Sequence, residues 1–357
     1  MDGLDSTIAA ILTLDGVTNG VIYGLLAIAL VLVFAVTRII FIPQGEFVVF
    51  GALTLAMLQQ GKIPGLVWLL LLLAVCASAT DVWTQLRSGQ SFGAGFNLVR
   101  TLGGTLLRNL LLPAAIAGLV CWAAPQQFSL PVQIGLTLLL VTALGPLLYS
   151  VVYESLADSS VLVLLIVSVG VHLALTGLGL IFFGAEGFRT PVLWDQRASF
   201  GGVAVSGQMG VIVLVASALI VLLWLFLERT LYGKALRATA VNRLGARLMG
   251  ISTTLAGKLT FSMAALIGAL SGVLIGPITT VFYDSGFLIG LKGFVAATIG
   301  GLAGFPSAAI GALFIGLLES FSSFWASDFK EVIVFMSLLP ILLWRSFATP
   351  ASIEDEE

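Results

Sequence analysis

Histidine and cysteine are nearly absent from this chain: its 357 residues hold one histidine, His172, and two cysteines, Cys76 and Cys121. Such an inventory excludes a Cys/His metal site and a disulfide framework. Charge is scarce as well. Asp, Glu, Lys and Arg make up 10% of the residues, against about 25% in soluble domains, and the formal net charge is −2. No basic field draws in nucleic acid. Nucleotide and hydrolase signatures are missing: Gly257-Lys258 is followed by Leu259, residue 252, where a Walker A motif has its first glycine, is Ser, and neither GxSxG nor HExxH occurs. Any energy source is therefore a partner or an ion gradient. The opening Met1-Asp2-Gly3-Leu4-Asp5 lacks the basic n-region of a cleaved signal peptide.

What the chain has is apolar length. Hydrophobic residues make up 59% of it, with a mean hydropathy of +1.12, more than a water-soluble fold can hide. A helix crossing the hydrocarbon needs about 20 mostly apolar residues. The expected fold is therefore all-α, a polytopic transmembrane helix bundle of about 8–11 spans, some short or broken, in a single domain over 1–357. The apolar stretches are too long and continuous for the period-two strands of a membrane barrel. Candidate spans cover 17–40, 46–60, 65–82, 109–125, 132–152, 161–183, 209–228, 257–276, 288–303, 306–325 and 331–347.

Positive charge sets the sides. The densest cluster, Arg229, Lys234, Arg237, Arg243, Arg247 and Lys258, marks 229–258 as a cytoplasmic loop. Arg38, Arg87, Arg100, Arg108 and Arg345 then fall inside, leaving Lys62, Arg189, Arg197, Lys292 and Lys330 elsewhere. The N-terminus is expected outside and the C-terminus, Glu354-Asp355-Glu356-Glu357, inside. This scheme puts the turn at 153–160 inside although it carries Glu154 and Asp158 and no base. The stretch 83–108, with five glycines (Gly89, Gly93, Gly95, Gly103, Gly104) and three arginines, reads as a flexible cytoplasmic insertion.

Few residues in the apolar runs carry chemistry. Gly16, Gly20 and Gly24, and again Gly268, Gly272 and Gly276, form GxxxGxxxG ridges that let helix backbones approach closely, within the chain or at a subunit interface. Phe41-Ile42-Pro43-Gln44-Gly45-Glu46 interrupts an apolar run. Glu46 then falls in the first turn of the next helix, where the helix dipole favours an anion. It is either a charged turn at the membrane edge or part of a discontinuous element lining a polar path. Asn19, Gln44, Glu46, Lys292 and Glu319 are the candidates for such a path, because ionisable groups at mid-bilayer cost about 2.5–3.5 kcal/mol and default to function. His172, amid Val, Leu and Ala, reads as a hydrogen-bonded structural histidine. No proton-relay chain is visible. Residues 233–250 favour short helices broken at Gly245 and Gly250. Their apolar and basic residues do not separate onto clean faces, which suits helices held between protein surfaces better than helices lying on lipid.

The stretch GKALRATAVNRLGARLMGI over 233–251 resembles the cytoplasmic loop of the branched-chain amino acid (Liv-type) ABC importer permeases. NGVIYGLLAIALVLVFAVTRII over 19–40 resembles their first span, and PQGEF at 43–47 stands where the family usually has Ala-His-Gly-Glu-Phe. KGFVAATIGGLAGFPSAAIGA from Lys292, followed by GLLE ending at Glu319, follows the family's late block. The sequence departs from the family at Gln44, in an extra helix pair within 62–130, and in a turn before Ser159 without the usual bases. The resemblance implies a permease subunit of an importer for branched-chain or other small hydrophobic amino acids in the bacterial inner membrane, without an ATPase site of its own. The family also holds permeases for urea and short amides. The implied partners are a second homologous permease, two cytoplasmic ATPase subunits that use ATP and Mg, and an external substrate-binding protein. No cofactor is expected on this chain. Gly233, Leu236, Arg237, Ala238, Asn242, Arg243 and Gly250 would couple it to the ATPases. The rival class, a stand-alone ion-gradient carrier, lacks a titratable relay, and a non-transporting scaffold would not need the loop.

Overall fold

The computed structural model describes residues 2–87, 95–200, 203–302 and 304–348. Helices dominate: α1 (Asp2–Thr37), α2 (Gln44–Gln59), α3 (Leu66–Arg87), α4 (Gly95–Ala123), α5 (Leu130–Leu148), α6 (Val161–Phe183), α7 (Gly207–Arg229), α8 (Leu231–Val241), α9 (Arg243–Leu248), α10 (Thr253–Ile275), α11 (Ser285–Ile299), α12 (Phe305–Trp325), α13 (Lys330–Met336) and α14 (Leu338–Ala348). Among the described residues, eight helices are long and apolar enough to cross a membrane. One antiparallel hairpin, β1 (Arg197–Phe200) with β2 (Val203–Ser206), pairs Arg197 with Ser206 ahead of α7. The all-α bundle expected from composition is what forms.

Several boundaries moved. The first helix starts at Asp2 and not near 17, and within it Thr13 and Thr18 turn their hydroxyls back onto the carbonyls of Ala9 and Leu14. The 83–108 stretch is helical on both sides, since α3 continues to Arg87 and α4 begins at Gly95. Gly103 and Gly104 weaken a helix by about 1 kcal/mol each relative to Ala without ending it. The rest of that expected insertion, 88–94, lies outside the described residues. The span expected at 331–347 is two short helices, because Pro340 cannot donate the bond that would close the turn over Ser337.

Contacts gather the chain into two compact units: one of 1–31, 192–222 and 288–357, the other of 32–191 and 223–287. In the second unit α10 packs against α2 and α5 at backbone distance. A Cβ on Gly272 would lie 2.0 Å from the Val48 carbonyl oxygen, and one on Gly145 would lie 2.3 Å from that of Phe261. Only glycine permits such approach. The connection after α6 is strapped to the chain beyond α10 by a Phe188–Val281 bridge and a bond from the Arg189 Nε to the Pro277 carbonyl. In the first unit α1 packs on α12 in the same close manner.

Candidate functional site

The break after α1 sits deep in its unit. Phe41 stacks edge-on against Phe261 with ring centroids 4.8 Å apart, and against Tyr153 at 6.1 Å. Phe261 lies about 12 Å along α10 from Thr253 at 1.5 Å per residue. α2 therefore begins well inside the bundle. Its 16 residues reach about 24 Å, short of the ~30 Å hydrocarbon. Gln44 is fully buried and its Nε2 donates to the Ala264 carbonyl of α10 at 2.9 Å.

Glu46, in the first turn of α2, is 1% exposed. Its Oε1 lies 2.9 Å from Nδ1 of His172 and accepts from Thr176 Oγ1 at 3.4 Å, both on α6. Its Oε2 is buried without a hydrogen-bond partner. His172 in turn packs against Phe287, with ring centroids 5.0 Å apart. The sequence suggested a hydrogen-bonded histidine and a possible path carboxylate separately; the fold makes them one cluster.

A second cluster lies in the other unit. Lys292 of α11 donates from Nζ to Glu319 Oε1 of α12 at 2.6 Å and to Glu331 Oε1 of α13 at 3.0 Å. Tyr23 of α1 donates to Glu319 Oε2 at 2.6 Å, and the Lys292 ammonium stands 5.8 Å from the Tyr23 ring centroid. The network ties four helices together. Tyr23 and Glu331 were missed in the sequence, and Asn19, half-buried on α1, joins neither cluster.

Both glycine ridges are filled from within their own units. Added Cβ atoms at Gly16 and Gly20 would meet the Cα atoms of Leu317 and Leu313 at 2.8 and 2.9 Å, whereas Gly24 has only an ordinary 3.7 Å contact with Ala312. Cβ atoms added at Gly268 and Gly276 would meet the Phe47 Cβ at 2.6 Å and the Thr190 Oγ1 at 2.8 Å.

The loop between α7 and α10 is ordered by three side-chain caps in succession. Thr230 accepts from Gly233 N at 2.9 Å, Asn242 from Gly245 N at 2.7 Å, and Ser252 from Leu255 N at 3.2 Å. The break therefore falls at Asn242, and Gly245 lies within the first turn of α9, its N–H taken by the Asn242 cap. Gly250, at φ +82°, ends α9. Gly233 and Leu236 face inward, with a Gly233 Cβ falling 2.2 Å from the Phe226 carbonyl of α7. Arg237 pairs with Glu228. Arg243 donates to the Ala157 carbonyl at 2.5 Å, Arg247 faces Asp158 at 3.5 Å, and Lys258 faces Glu154 at 3.2 Å. The acidic turn at 153–160 thus lies on the same side as the basic loop and is neutralised by it. Of the residues singled out in the loop, Arg237, Ala238, Asn242 and Gly250 are exposed, and Ala238 carries the smallest side chain. Large apolar side chains on α8 and α9 are exposed as well: Leu231, Val241, Leu248 and Met249 are each at least 80% exposed. Between α8 and the start of α10 runs an apolar groove of about 250 Å³, lined by Leu231, Tyr232, Leu236, Ile251, Leu255 and Leu259.

Long apolar helices, a submerged helix break and buried charge held in two clusters define a multi-pass membrane protein of the transport type. A sequence model described as the branched-chain amino acid transport system / permease component matches residues 97–343, and the chain belongs to that family. The high-affinity branched-chain amino acid transport system permease protein LivH of Escherichia coli (strain K12) is 30% identical over 213 residues, 58% of this chain and 69% of its own. LivH of Salmonella typhimurium matches at the same values. BraD of Pseudomonas aeruginosa is 29% identical over 216 residues, 58% of this chain and 70% of its own. The solved PsaBC of Streptococcus pneumoniae, in complex with Fab, aligns over 94% of this chain and 91% of its own at 13% identity, with a TM-score of 0.36 too low to bear on the fold.

Proposed function

We propose that the chain is the membrane-spanning subunit of an ATP-binding-cassette importer that moves branched-chain or other small hydrophobic amino acids across the bacterial inner membrane. A second homologous permease, two cytoplasmic ATPase subunits and an external binding protein complete it. ATP and Mg are used by the ATPases, and this chain binds no cofactor. The N-terminus lies outside; the C-terminus, 83–108 and 229–258 lie in the cytoplasm.

The observation that carries this reading is the apolar surface on α8 and α9. Leu231, Val241, Leu248 and Met249 are exposed on the same loop as Ala238, and each such side chain gains about 1.5–3 kcal/mol when fully buried. Apolar surface of this kind marks a docking face. Coupling then follows from how the loop is anchored. Gly233 presses α8 onto the end of α7, Arg243 holds the turn between α5 and α6, and Lys258 ties α10 to that turn. A push on α8–α9 by closing ATPases is carried to these spans together, a rigid-body switch between outward and inward access. Of the polar residues considered for the path, Gln44 and Glu46 are assigned to it. Lys292 and Glu319 are assigned to holding helices together.

Ala238→Glu tests the docking face, since a charge at a packed interface is costly to desolvate and overpacking costs about 1–3 kcal/mol. In vesicles holding the full complex, the variant is expected to insert normally and lose about 90% of the ATP hydrolysis stimulated by loaded binding protein, the tenfold that 1.4 kcal/mol gives. Ala238→Cys should crosslink to the ATPase. Full stimulation without a crosslink would overturn the coupling role. ATP-dependent uptake of urea and not of leucine would move the cargo to short amides, and uptake without nucleotide would point to a carrier.

A further inference from the structure

The Glu46 cluster leaves one carboxylate oxygen unused. His172 and Thr176 both engage Oε1, which fixes the plane of the group, while Oε2 is buried with no hydrogen-bond partner on a residue 1% exposed. A buried carboxylate oxygen without a partner is unfavourable, and such a group is explained when a water, an ion or a passing solute satisfies it. The carboxylate points at the first turn of α11, where residue 286 is glycine. A Cβ there would stand 2.7 Å from Oε1 and 3.0 Å from Oε2. Any other residue would press on the carboxylate. Asp284, two residues earlier, adds negative charge to the same approach.

The surroundings are aromatic. Phe287 covers His172, and one turn along α2 Phe50 meets Phe183 of α6 at 6.1 Å between centroids. At Gly179, two turns after His172 on α6, an added Cβ would lie 3.7 Å from both Phe50 and Tyr283. Apolar walls and one anionic acceptor suit a solute with an ammonium at one end and a small apolar body at the other. A deaminated acid of the same shape would be repelled by the carboxylate.

We propose that Glu46 Oε2 is a transient receptor for the ammonium group of the cargo, with His172 and Thr176 as positioning residues and Phe50, Phe183 and Phe287 against the apolar body. This rests on the transport function proposed above and narrows it to solutes bearing a primary ammonium. The contact is a passing one, made in the path and broken there.

An apolar carbodiimide, which modifies carboxyl groups shielded from water, reads the site directly on the purified wild-type chain in nanodiscs. Mass spectrometry of the modified peptides follows Glu46, with Glu319 as an internal reference and Glu46→Gln identifying the labelled position. The expected result is that 3-methylbutylamine and leucine slow modification of Glu46 at least threefold relative to Glu319, and that 4-methylpentanoate does not. Equal protection by the acid, protection by none of them, or a Glu46 that never reacts overturns the proposal, since a group that meets passing solutes must be reachable. ATP-driven leucine uptake by the full complex is measured alongside. Uptake with no protection defeats the receptor and leaves the transport function standing; protection without uptake does the reverse.

Discussion

The two buried charge clusters are built from similar parts and differ in how fully they are satisfied. Around Lys292, both oxygens of Glu319 are engaged, one by the ammonium and one by the Tyr23 hydroxyl, and Lys292 reaches a second carboxylate at Glu331. The one oxygen left over there, Oε2 of Glu331, is itself buried without a partner, on a side chain that is one-third exposed as a whole. Around Glu46, a single oxygen carries both hydrogen bonds and the other is left alone on a fully buried residue. A buried network in which every charge is paired holds helices in one arrangement. A carboxylate with no cation assured and one oxygen unpaired keeps capacity for a visitor. Under the function proposed above, the contrast separates a charge that holds the fold from a charge that serves transport.

Removing Lys292 breaks the comparison most forcefully. Lys292→Met leaves Glu319 and Glu331 facing each other without a cation, and stripping one partner from a buried pair costs about 3–5 kcal/mol. The variant is expected to accumulate poorly and to melt far below wild type in detergent. Adding Glu319→Gln should recover much of that loss, because the remaining amide still accepts from Tyr23 without an unpaired charge. If Lys292→Met melts like wild type, this cluster is not what holds α11, α12 and α13 together.

The individual charges of both clusters were legible in the sequence, and their pairing was not. Glu46, Lys292 and Glu319 stand out against apolar runs, so insertion cost alone marks them. Their partners lie far away in the chain, His172 at 126 residues from Glu46 and Tyr23 at 296 from Glu319, and only packing brings them together. Tyr23 gave no signal because a tyrosine within an apolar helix is ordinary. The all-α bundle was legible from composition, and the Pro-Gln-Gly break from its residues. The exposed face of α8–α9 was hidden for the opposite reason. Leu231, Val241, Leu248 and Met249 look like any others in a chain this apolar, and only the helix caps reveal which of them point outward. The acidic turn at Glu154 and Asp158 looked out of place by charge counting, because its cations arrive from a loop about 90 residues later in the chain.

Glu46→Gln sharpens the contrast at intermediate size. The amide oxygen still accepts from Thr176 and from a His172 protonated on Nδ1, while the unpaired charge is gone. Folded stability is expected to change by about 1 kcal/mol at most, in either direction, with subunit abundance near normal. Leucine flux should fall at least tenfold. A stability loss equal to that of Lys292→Met would make both clusters structural and erase the distinction drawn between them.

The smallest effect is expected where the ion pair is not buried, at Lys258 and Glu154. These side chains are 24% and 32% exposed and 3.2 Å apart, so water screens the pair and Lys258→Ala should cost only about 0–1 kcal/mol. That variant calibrates the other two, because it removes one charge from an ion pair in the same chain without burying its partner. Its consequence for transport is different in kind. The Lys258–Glu154 contact joins the start of α10 to the turn between α5 and α6, beside the Arg243 anchor on Ala157. If this joint passes motion from the loop to the spans, Lys258→Ala should leave melting unchanged and lower the leucine moved per ATP hydrolysed, and Lys258→Glu with Glu154→Lys should restore it. Measured stability and coupling ratio that fall together would show that the joint merely holds the turn. A ratio that stays at the wild-type value would show that Arg243 carries the motion alone.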